Sequence, residues 1–199
     1  MHLCETQRAH LLDIARLTIR HRLIARDDES VPAPASLSAL LTNPDLQELA
    51  GCFVSLHELV TDRLRGCVGC LDAKQSLALA VQDGAESVLK DPRFHDMPIH
   101  LHELSKLEIE ITVLSPLTDA ANPLDFDPRE HGIYLTIGQE SGCFLPQVAR
   151  ETGWTREQLL DRLSYEKLGM SRDAWRSPDA KLQRFTTTII GPEPFESPR

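Results

Sequence analysis

Residues Leu107–Leu114 read LEIEITVL, with apolar and polar side chains in strict alternation. Four apolar residues occupy one face, and Glu108, Glu110 and Thr112 occupy the other. Successive side chains of a strand point to opposite faces, so this period of two predicts a half-buried antiparallel strand. The chain must therefore build an antiparallel sheet and cover one of its faces with other elements.

Short apolar runs bounded by turn residues predict the remaining strands. These runs are Gly51–His57 paired with Arg63–Cys70, Gly132–Gly138 paired with Gly142–Leu145, and Gln183–Ile190. Apolar residues at helical spacing predict helices at 5–26 and 76–90, and two more that begin at Pro146 and after Thr155. We expect an irregular connection over 27–44 and a flexible tail over 191–199.

The order of these elements favours an α+β fold, an antiparallel β-sheet with flanking helices, because no βαβ unit repeats. The 199 residues show no internal shift in composition, so we expect one domain with a core over about residues 8–190. The sequence contains no GxGxxG, GxxxxGK(S/T) or HExxH motif. We therefore expect neither a nucleotide cofactor nor a metal.

Charge and cysteine content restrict the partners and the compartment. With 21 Lys and Arg against 30 Asp and Glu, the formal net charge is −9, which disfavours binding to nucleic acid. Five cysteines, an odd number in a chain of this size, are typical of a reducing compartment. No apolar run approaches the length of a membrane span, and the opening residues show no secretory signal. We expect a cytoplasmic monomer or weak dimer.

Six ordered segments carry a resemblance to one family. They are Gly51–His57 (GCFVSLH), Leu64–Gly69 (LRGCVG), Asp91–Phe94 (DPRF), Leu107–Pro116 (LEIEITVLSP), Leu145–Ala149 (LPQVA) and Gly153–Trp154. Together they resemble the AMMECR-type domain family, also called AmmeMemoRadiSam system protein A. The resemblance implies an α+β fold of two subdomains, with a cleft between them and the LRGCVG motif near it. It also implies association with a Memo-like protein and a radical SAM protein, and it brings no settled reaction.

Cys67 is the candidate nucleophile, because a thiolate is strongly nucleophilic and the flanking Gly66 and Gly69 would let a substrate reach the strand. Arg65, two residues away, is expected to project from the same face and stabilise the thiolate. The alternative is a buried cysteine that packs as a small apolar side chain. Ser164 stands where many relatives carry a cysteine, which argues against a mechanism with two cysteines.

Three further polar residues are candidates for the same site. His57 ends the partner strand and is a candidate general base for Cys67. Arg93 and Gln147 could orient an anionic or amide substrate, although Arg93 could instead neutralise the C-terminus of its helix. We expect His100 and His102 to be exposed rather than to bind a metal.

Cys67 and Cys70 form a CxxC pair, but the chain offers no second ligand pair for zinc and no thioredoxin-like βαβ unit, so we expect neither a zinc site nor redox chemistry from it. Cys52 is expected to face this strand across the hairpin, which leaves a disulfide between neighbouring thiols open.

Two classes of function remain. The first is an enzyme, or a component of one, that binds a small-molecule or protein substrate around Cys67. The second is a non-catalytic adaptor in which Arg65, Arg93 and Gln147 surround a bound ligand or a partner's segment.

Overall fold

The computed structural model describes residues 3–26, 28 and 30–196, and within them the chain forms two compact units. The first unit is Met1–Leu114 with Thr188–Arg199, and the second is Ser115–Thr187. No helix in the described part of the chain is long and apolar enough to cross a membrane.

Mixed helices and antiparallel strand pairs confirm the α+β fold. The helices are α1 (Glu5–Ile24), α2 (Ala35–Leu41), α3 (Leu77–Ser87), α4 (Pro146–Thr152) and α5 (Arg156–Arg162). The strands are β1 (Cys52–Glu58), β2 (Leu64–Cys70), β3 (Leu107–Leu114), β4 (Thr118–Asp119), β5 (Gly132–Ile137), β6 (Glu140–Phe144), β7 (Ala180–Phe185) and β8 (Thr187–Pro194). Among the described residues they form two four-stranded sheets, in the orders β2-β1-β3-β8 and β4-β7-β5-β6.

The first unit is built around the alternation of β3. Ile109 and Ile111 of β3 and Val54 and Leu56 of β1 are fully buried in one core with residues of α1 and α3. Because alternate side chains of a strand point to opposite faces, the intervening residues of these strands lie on the other face of the sheet. The helices predicted at 5–26 and 76–90 thus cover one side of this sheet.

The predicted hairpin of β1 and β2 is confirmed as an antiparallel pair. Its register shifts after Leu56, where β2 contributes one residue more than β1. That extra residue is Arg65, so β2 carries a β-bulge, which interrupts the alternation of side chains and redirects the bulged one.

The second unit confirms the turn and cap signals of the sequence. β5 and β6 form the predicted hairpin, and α4 begins at Pro146 and ends at Gly153, which has the left-handed φ of 67°. Thr155 and Gln158 form the predicted capping box of α5. The core of this unit includes Leu135 and residues of α5.

The prediction of one strand over Gln183–Ile190 is wrong, because the chain changes sheets near Thr186. β7 belongs to the sheet of the second unit and β8 to that of the first. The Ser115 N–H donates to the Thr186 carbonyl at 2.9 Å, so the chain leaves and rejoins the first unit at adjacent points. β-branched residues favour a strand on both sides of Thr186, so the sequence gives no signal for the change of sheet there.

The predicted flexible tail is also wrong over residues 191–196, and 197–199 lie outside the described residues. β8 continues to Pro194, and Phe195 is only 2% exposed and donates its N–H to the Leu107 carbonyl at 2.8 Å. Arg16 of α1 pairs with Glu193 at 3.0 Å. Likewise α2 occupies part of the predicted irregular connection, where burial of Leu37 stabilises a short helix.

Candidate functional site

Cys67 lies in the middle of β2, the edge strand of the first sheet, and is half-buried. Its register partner on β1 is Ser55. The Cys67 N–H donates to Asp91 Oδ2 at 2.9 Å, and its carbonyl accepts from Arg93 Nη2 at 3.0 Å. Both backbone groups therefore point away from β1, and Cys67 and Ser55 form a non-hydrogen-bonded pair, in which the Cα atoms are about 4.5 Å apart.

Asp91 and Arg93 form a rigid clamp on the backbone of Cys67. Arg93 Nη2 donates to Asp91 Oδ2 at 2.6 Å, and Arg93 Nε donates to Asp91 Oδ1 at 3.0 Å. Asp91 Oδ1 also accepts the backbone N–H of Arg93 and so caps the short 3₁₀ turn Pro92–Phe94. The hydrogen bond from Arg93 is the main cause that lowers the pKa of Asp91 to about 2. The clamp therefore contains a carboxylate that is ionised at neutral pH, although Asp91 is only 4% exposed.

The Arg93 guanidinium also interacts with the side chain of Cys67. Its hydrogen bond to Asp91 is the main cause that raises the pKa of Arg93, and the charge of the Cys67 thiolate raises it further. Arg93 Nη2 also donates to the Cys67 carbonyl at 3.0 Å, so the charge of Arg93 lies next to this residue. Arg93 is thus the cation that the structure places next to Cys67.

The prediction that Arg65 is the cation beside Cys67 differs from the structure. Its Nη1 lies 3.1 Å from Glu103 Oε1, and its Nη2 donates to the Met97 carbonyl at 3.4 Å. The physical reason is the bulge in β2, which directs this buried side chain toward Met97 and Glu103. The prediction that Arg65 binds a substrate stays a prediction.

Gly66 and Gly69 are needed for packing within the protein. A Cβ at Gly66 would lie 2.8 Å from the Val88 carbonyl oxygen, and one at Gly69 would collide with the backbone of Cys52. The space beside both glycines is therefore filled by neighbouring chain, which differs from the expectation that it admits a substrate.

The face of the first sheet opposite α1 and α3 carries a row of polar side chains. We call it the polar face and define it by Cys67, Ser55, Glu110, His57 and Glu108. Ser55 is paired with Cys67 on one side and with Glu110 on the other, so the three form one row across β2, β1 and β3. Burial is the main cause that raises the pKa of Glu110, and the charge of His57 opposes it.

His57 and Glu108 form the next row of the polar face. His57 is a diagonal neighbour of Cys67, a relation that places Cα atoms roughly 7 Å apart. Its Nδ1 lies 3.1 Å from Asp62 Oδ1. The structure thus puts the predicted base on the face of the predicted nucleophile, with Asp62 as its hydrogen-bond partner.

Sequence reasoning missed the roles of Ser55 and Asp91. Ser55 is 7% exposed. It lies opposite Cys67 because of the register of the hairpin, which the sequence pattern does not determine. In the sequence, Asp91 stands out only as part of the DPRF segment that carries the family resemblance. Its spacing of two from Arg93 was the available signal, because an Asx turn lets such a pair bond to each other.

A family model described as AMMECR1 matches residues 12–190. The chain belongs to the AMMECR1 family. The match contains every residue of the clamp and of the polar face, and it confirms the resemblance that the six sequence segments indicate.

Two relatives show the extent of the AMMECR1 similarity. A protein of Thermococcus gammatolerans is 34% identical over 161 residues, which cover 76% of this chain and 77% of that protein. Protein MK0488 of Methanopyrus kandleri is 34% identical over 160 residues, which cover 77% of this chain and 76% of that protein. The crystal structure of the uncharacterised protein PH0010 from Pyrococcus horikoshii has a TM-score of 0.74 and 31% identity, and covers 90% of this chain and 88% of that one.

Three further candidate residues of this AMMECR1 chain belong neither to the clamp nor to the polar face. Gln147 belongs to α4 of the second unit, where its Oε1 is buried without a hydrogen-bond partner, and its contact with a substrate stays a prediction. His100 and His102 are exposed and stack with ring centroids 5.7 Å apart. Across residues 3–26, 28 and 30–196, no group of three or more His, Cys, Asp or Glu side chains is arranged to hold a metal ion.

Proposed function

We propose that this AMMECR1 chain is a cysteine-dependent enzyme, or a component of one, with Cys67 as its nucleophile. The observation that supports it is a half-buried thiol beside the Arg93 guanidinium, which the buried carboxylate of Asp91 fixes in place. Thiol nucleophiles need a neighbouring cation and partial access, and Cys67 has both. The family resemblance supports the further proposal that the chain acts in a modification pathway with a Memo-like protein and a radical SAM protein.

In the proposed chemistry the nucleophile is the Cys67 sulfur, on the strand residue whose carbonyl accepts from Arg93. The sulfur attacks an electrophilic carbon of a small-molecule or protein substrate, and the new sulfur–carbon bond forms as the bond from that carbon to a leaving group breaks. His57, across the polar face, is the candidate acid that returns a proton to the leaving group. Arg93, whose side chain is 57% exposed, also offers a positive charge to an anionic substrate.

Competitive alkylation of the five cysteines tests the nucleophile. We expect iodoacetamide to label Cys67 faster than the half-buried Cys143 and the buried Cys52, because the rate follows thiolate fraction and access. Arg93→Ala should slow labelling of Cys67 about fivefold or more and leave Cys4 unchanged. Arg63→Ala, on the same hairpin with its guanidinium on Met97, is the matched control and should change neither rate. A Cys67 that labels most slowly of the five would overturn the proposal.

Genetic complementation tests whether the thiol is required in the cell. Cys67→Ser should cost at most about 1 kcal/mol of folding stability and abolish complementation of a deletion strain. Its metabolite profile should match those of strains that lack the Memo-like or the radical SAM protein. Full complementation by Cys67→Ser would reject the nucleophile.

One observation favours the second class of function, a non-catalytic adaptor. Val60, at the tip of the β1–β2 hairpin, is 93% exposed, and with Leu59 it borders a cavity of about 470 Å³ that Arg65 and Glu103 also line. If this tip docks a partner, Val60→Asp should abolish complementation while the alkylation rate of Cys67 stays unchanged. Retained complementation by Val60→Asp would reject the adaptor.

A further inference from the structure

The opposite face of the β1–β2 hairpin carries a second pair of thiols. Cys52 and Cys70 are register partners at the open end of the hairpin. Counting along the ladder from the non-hydrogen-bonded pair at Cys67, they form a hydrogen-bonded pair, for which the Cα separation is about 5.5 Å. That distance lies inside the range of about 4.4–6.8 Å over which a disulfide can form. Cys67 is three residues from Cys70 and therefore faces the other way, so the CxxC motif does not bring its own two thiols together.

The two thiols differ in access. Cys70 ends β2 and is exposed, whereas Cys52 is 1% exposed. Burial is the main cause that raises the pKa of Cys52 to about 12, and the nearby Cys70 and Asp83 raise it further. Cys52 therefore stays protonated, whereas Cys70 is accessible to solutes. This difference suits Cys70 as the attacking cysteine and Cys52 as the resolving cysteine.

The sulfur of Cys70 has a backbone hydrogen-bond donor beside it. The backbone N–H of Asp72 donates to Cys70 Sγ at 3.3 Å. The side chain of Lys74 pairs with Asp72 at 2.6 Å. This pairing is the main cause that raises the pKa of Lys74, and the charge of Cys70 is a smaller cause. Cys70 thus has an N–H donor at its sulfur and the exposure that a reactive cysteine needs.

Cys52 and Cys70 both line one cavity of about 350 Å³, which α3 also borders. This volume falls in the range of about 300–1,000 Å³ that is typical of small-molecule sites. Its polar lining has both signs of charge: the Lys74 ammonium, and the carboxylates of Asp72 and Asp83. Such a lining matches a small molecule that carries both ammonium and carboxylate groups.

We propose that Cys70 and Cys52 form a dithiol site that reduces a small zwitterionic disulfide of the cystine type. The Cys70 thiolate attacks one sulfur of the bound disulfide, so a mixed disulfide forms and one thiolate leaves. Cys52 then attacks the sulfur of Cys70, its proton passes to the second departing thiolate, and the Cys52–Cys70 disulfide forms. Counted from the Cys70 thiolate and the Cys52 thiol, the protein loses two electrons and one proton, and the small disulfide becomes one thiolate and one thiol. This site is separate from Cys67 and does not depend on its proposed role.

Mass spectrometry of the reduced full chain, treated with either L-cystine or the uncharged bis(2-hydroxyethyl) disulfide, tests the proposal. We expect cystine to produce a Cys52–Cys70 cross-link about fivefold or more faster than the uncharged probe. Cys52→Ala should stop at a mixed disulfide between Cys70 and half of the cystine, because the resolving thiol is absent. Lys74→Ala should slow the reaction with cystine more than the reaction with the uncharged probe, and so reduce the preference for cystine.

Two control variants separate this site from the others. Cys143→Ala, which replaces another partly buried thiol in the second unit, should cross-link like the parent chain. Cys67→Ser should do the same, so failure at the dithiol site and failure at Cys67 give different results. Absence of the cross-link, equal rates with the two probes, or a mixed disulfide that persists on Cys70 in the parent chain would each overturn the proposal.

Discussion

Asp91 determines the geometry around Cys67 more than any other side chain of the clamp, because it bonds both to the strand and to Arg93. Asp91→Asn keeps the size of the side chain but turns one acceptor oxygen into a donor that faces other donors. We expect a loss of about 3 kcal/mol in the free energy of unfolding, measured by urea denaturation. Asp13→Asn on the exposed face of α1 is the control and should change stability by less than about 0.5 kcal/mol.

The comparison of the parent chain with Asp91→Asn also predicts how stability depends on pH. The pKa of Asp91 is lowered to about 2 in the folded chain, below its unfolded value of about 3.9. Its stabilising contribution is therefore complete above the unfolded pKa and is lost as the pH falls toward 2. The stability difference between the parent and Asp91→Asn should shrink over that interval in acid melts. A difference that stays constant would show that the charge of Asp91 does not matter.

The pH dependence of stability expected for Glu110 has the opposite sign to that of Asp91. Burial raises its pKa, so the folded chain holds the proton more tightly than the unfolded chain does, and its ionisation costs stability as the pH rises through the folded pKa. Glu110→Gln should therefore be more stable than the parent near neutral pH and equal to it below about pH 4. Thermal melts across this range check the prediction, and a variant that is less stable near neutral pH would contradict it.

Within single elements, glycine packing gives a sharp test. Gly69 of β2 meets the backbone of Cys52 and Phe53, which no side-chain movement can relieve. Gly69→Ala should cost about 3 kcal/mol or more in urea denaturation. Gly138→Ala is the contrast, because open space surrounds Gly138 and only its left-handed φ of 62° opposes a side chain, at a cost of roughly 1 kcal/mol. Equal losses in the two variants would contradict the packing argument.

The sequence predicts most elements because their signals are local. The alternation in β3, the capping box at Thr155 and the turn at Gly153 each depend on residues a few positions apart. The bulge at Arg65 and the pairing of Cys52 with Cys70 depend on which residues of two strands face each other, and one extra residue changes that. His57 and Cys67 each stand in a recognisable local segment, so the sequence identifies them as candidates. The clamp joins Asp91 to Cys67, 24 residues apart, and was found only in the structure.

At the scale of the whole molecule, the second unit is an insertion whose two ends meet at Ser115 and Thr186. Each unit has its own buried core, so each should open as a cooperative unit of its own. Native-state hydrogen exchange should therefore show separate opening free energies for the two units. Asp91→Asn should lower that of the first unit alone, and an equal decrease in both would contradict independent opening.

β2 is the outermost strand of its sheet, and an outermost strand offers unpaired N–H and C=O groups to any strand that reaches it. At Cys67 these two groups are already occupied, by a carboxylate and a guanidinium from the same chain. The side chains that hold the thiol thus also stop the sheet from growing into a neighbouring molecule at that position. Loss of Asp91 should consequently appear as turbidity in concentrated protein as well as in the melting curve, because the freed edge would recruit strands from other copies.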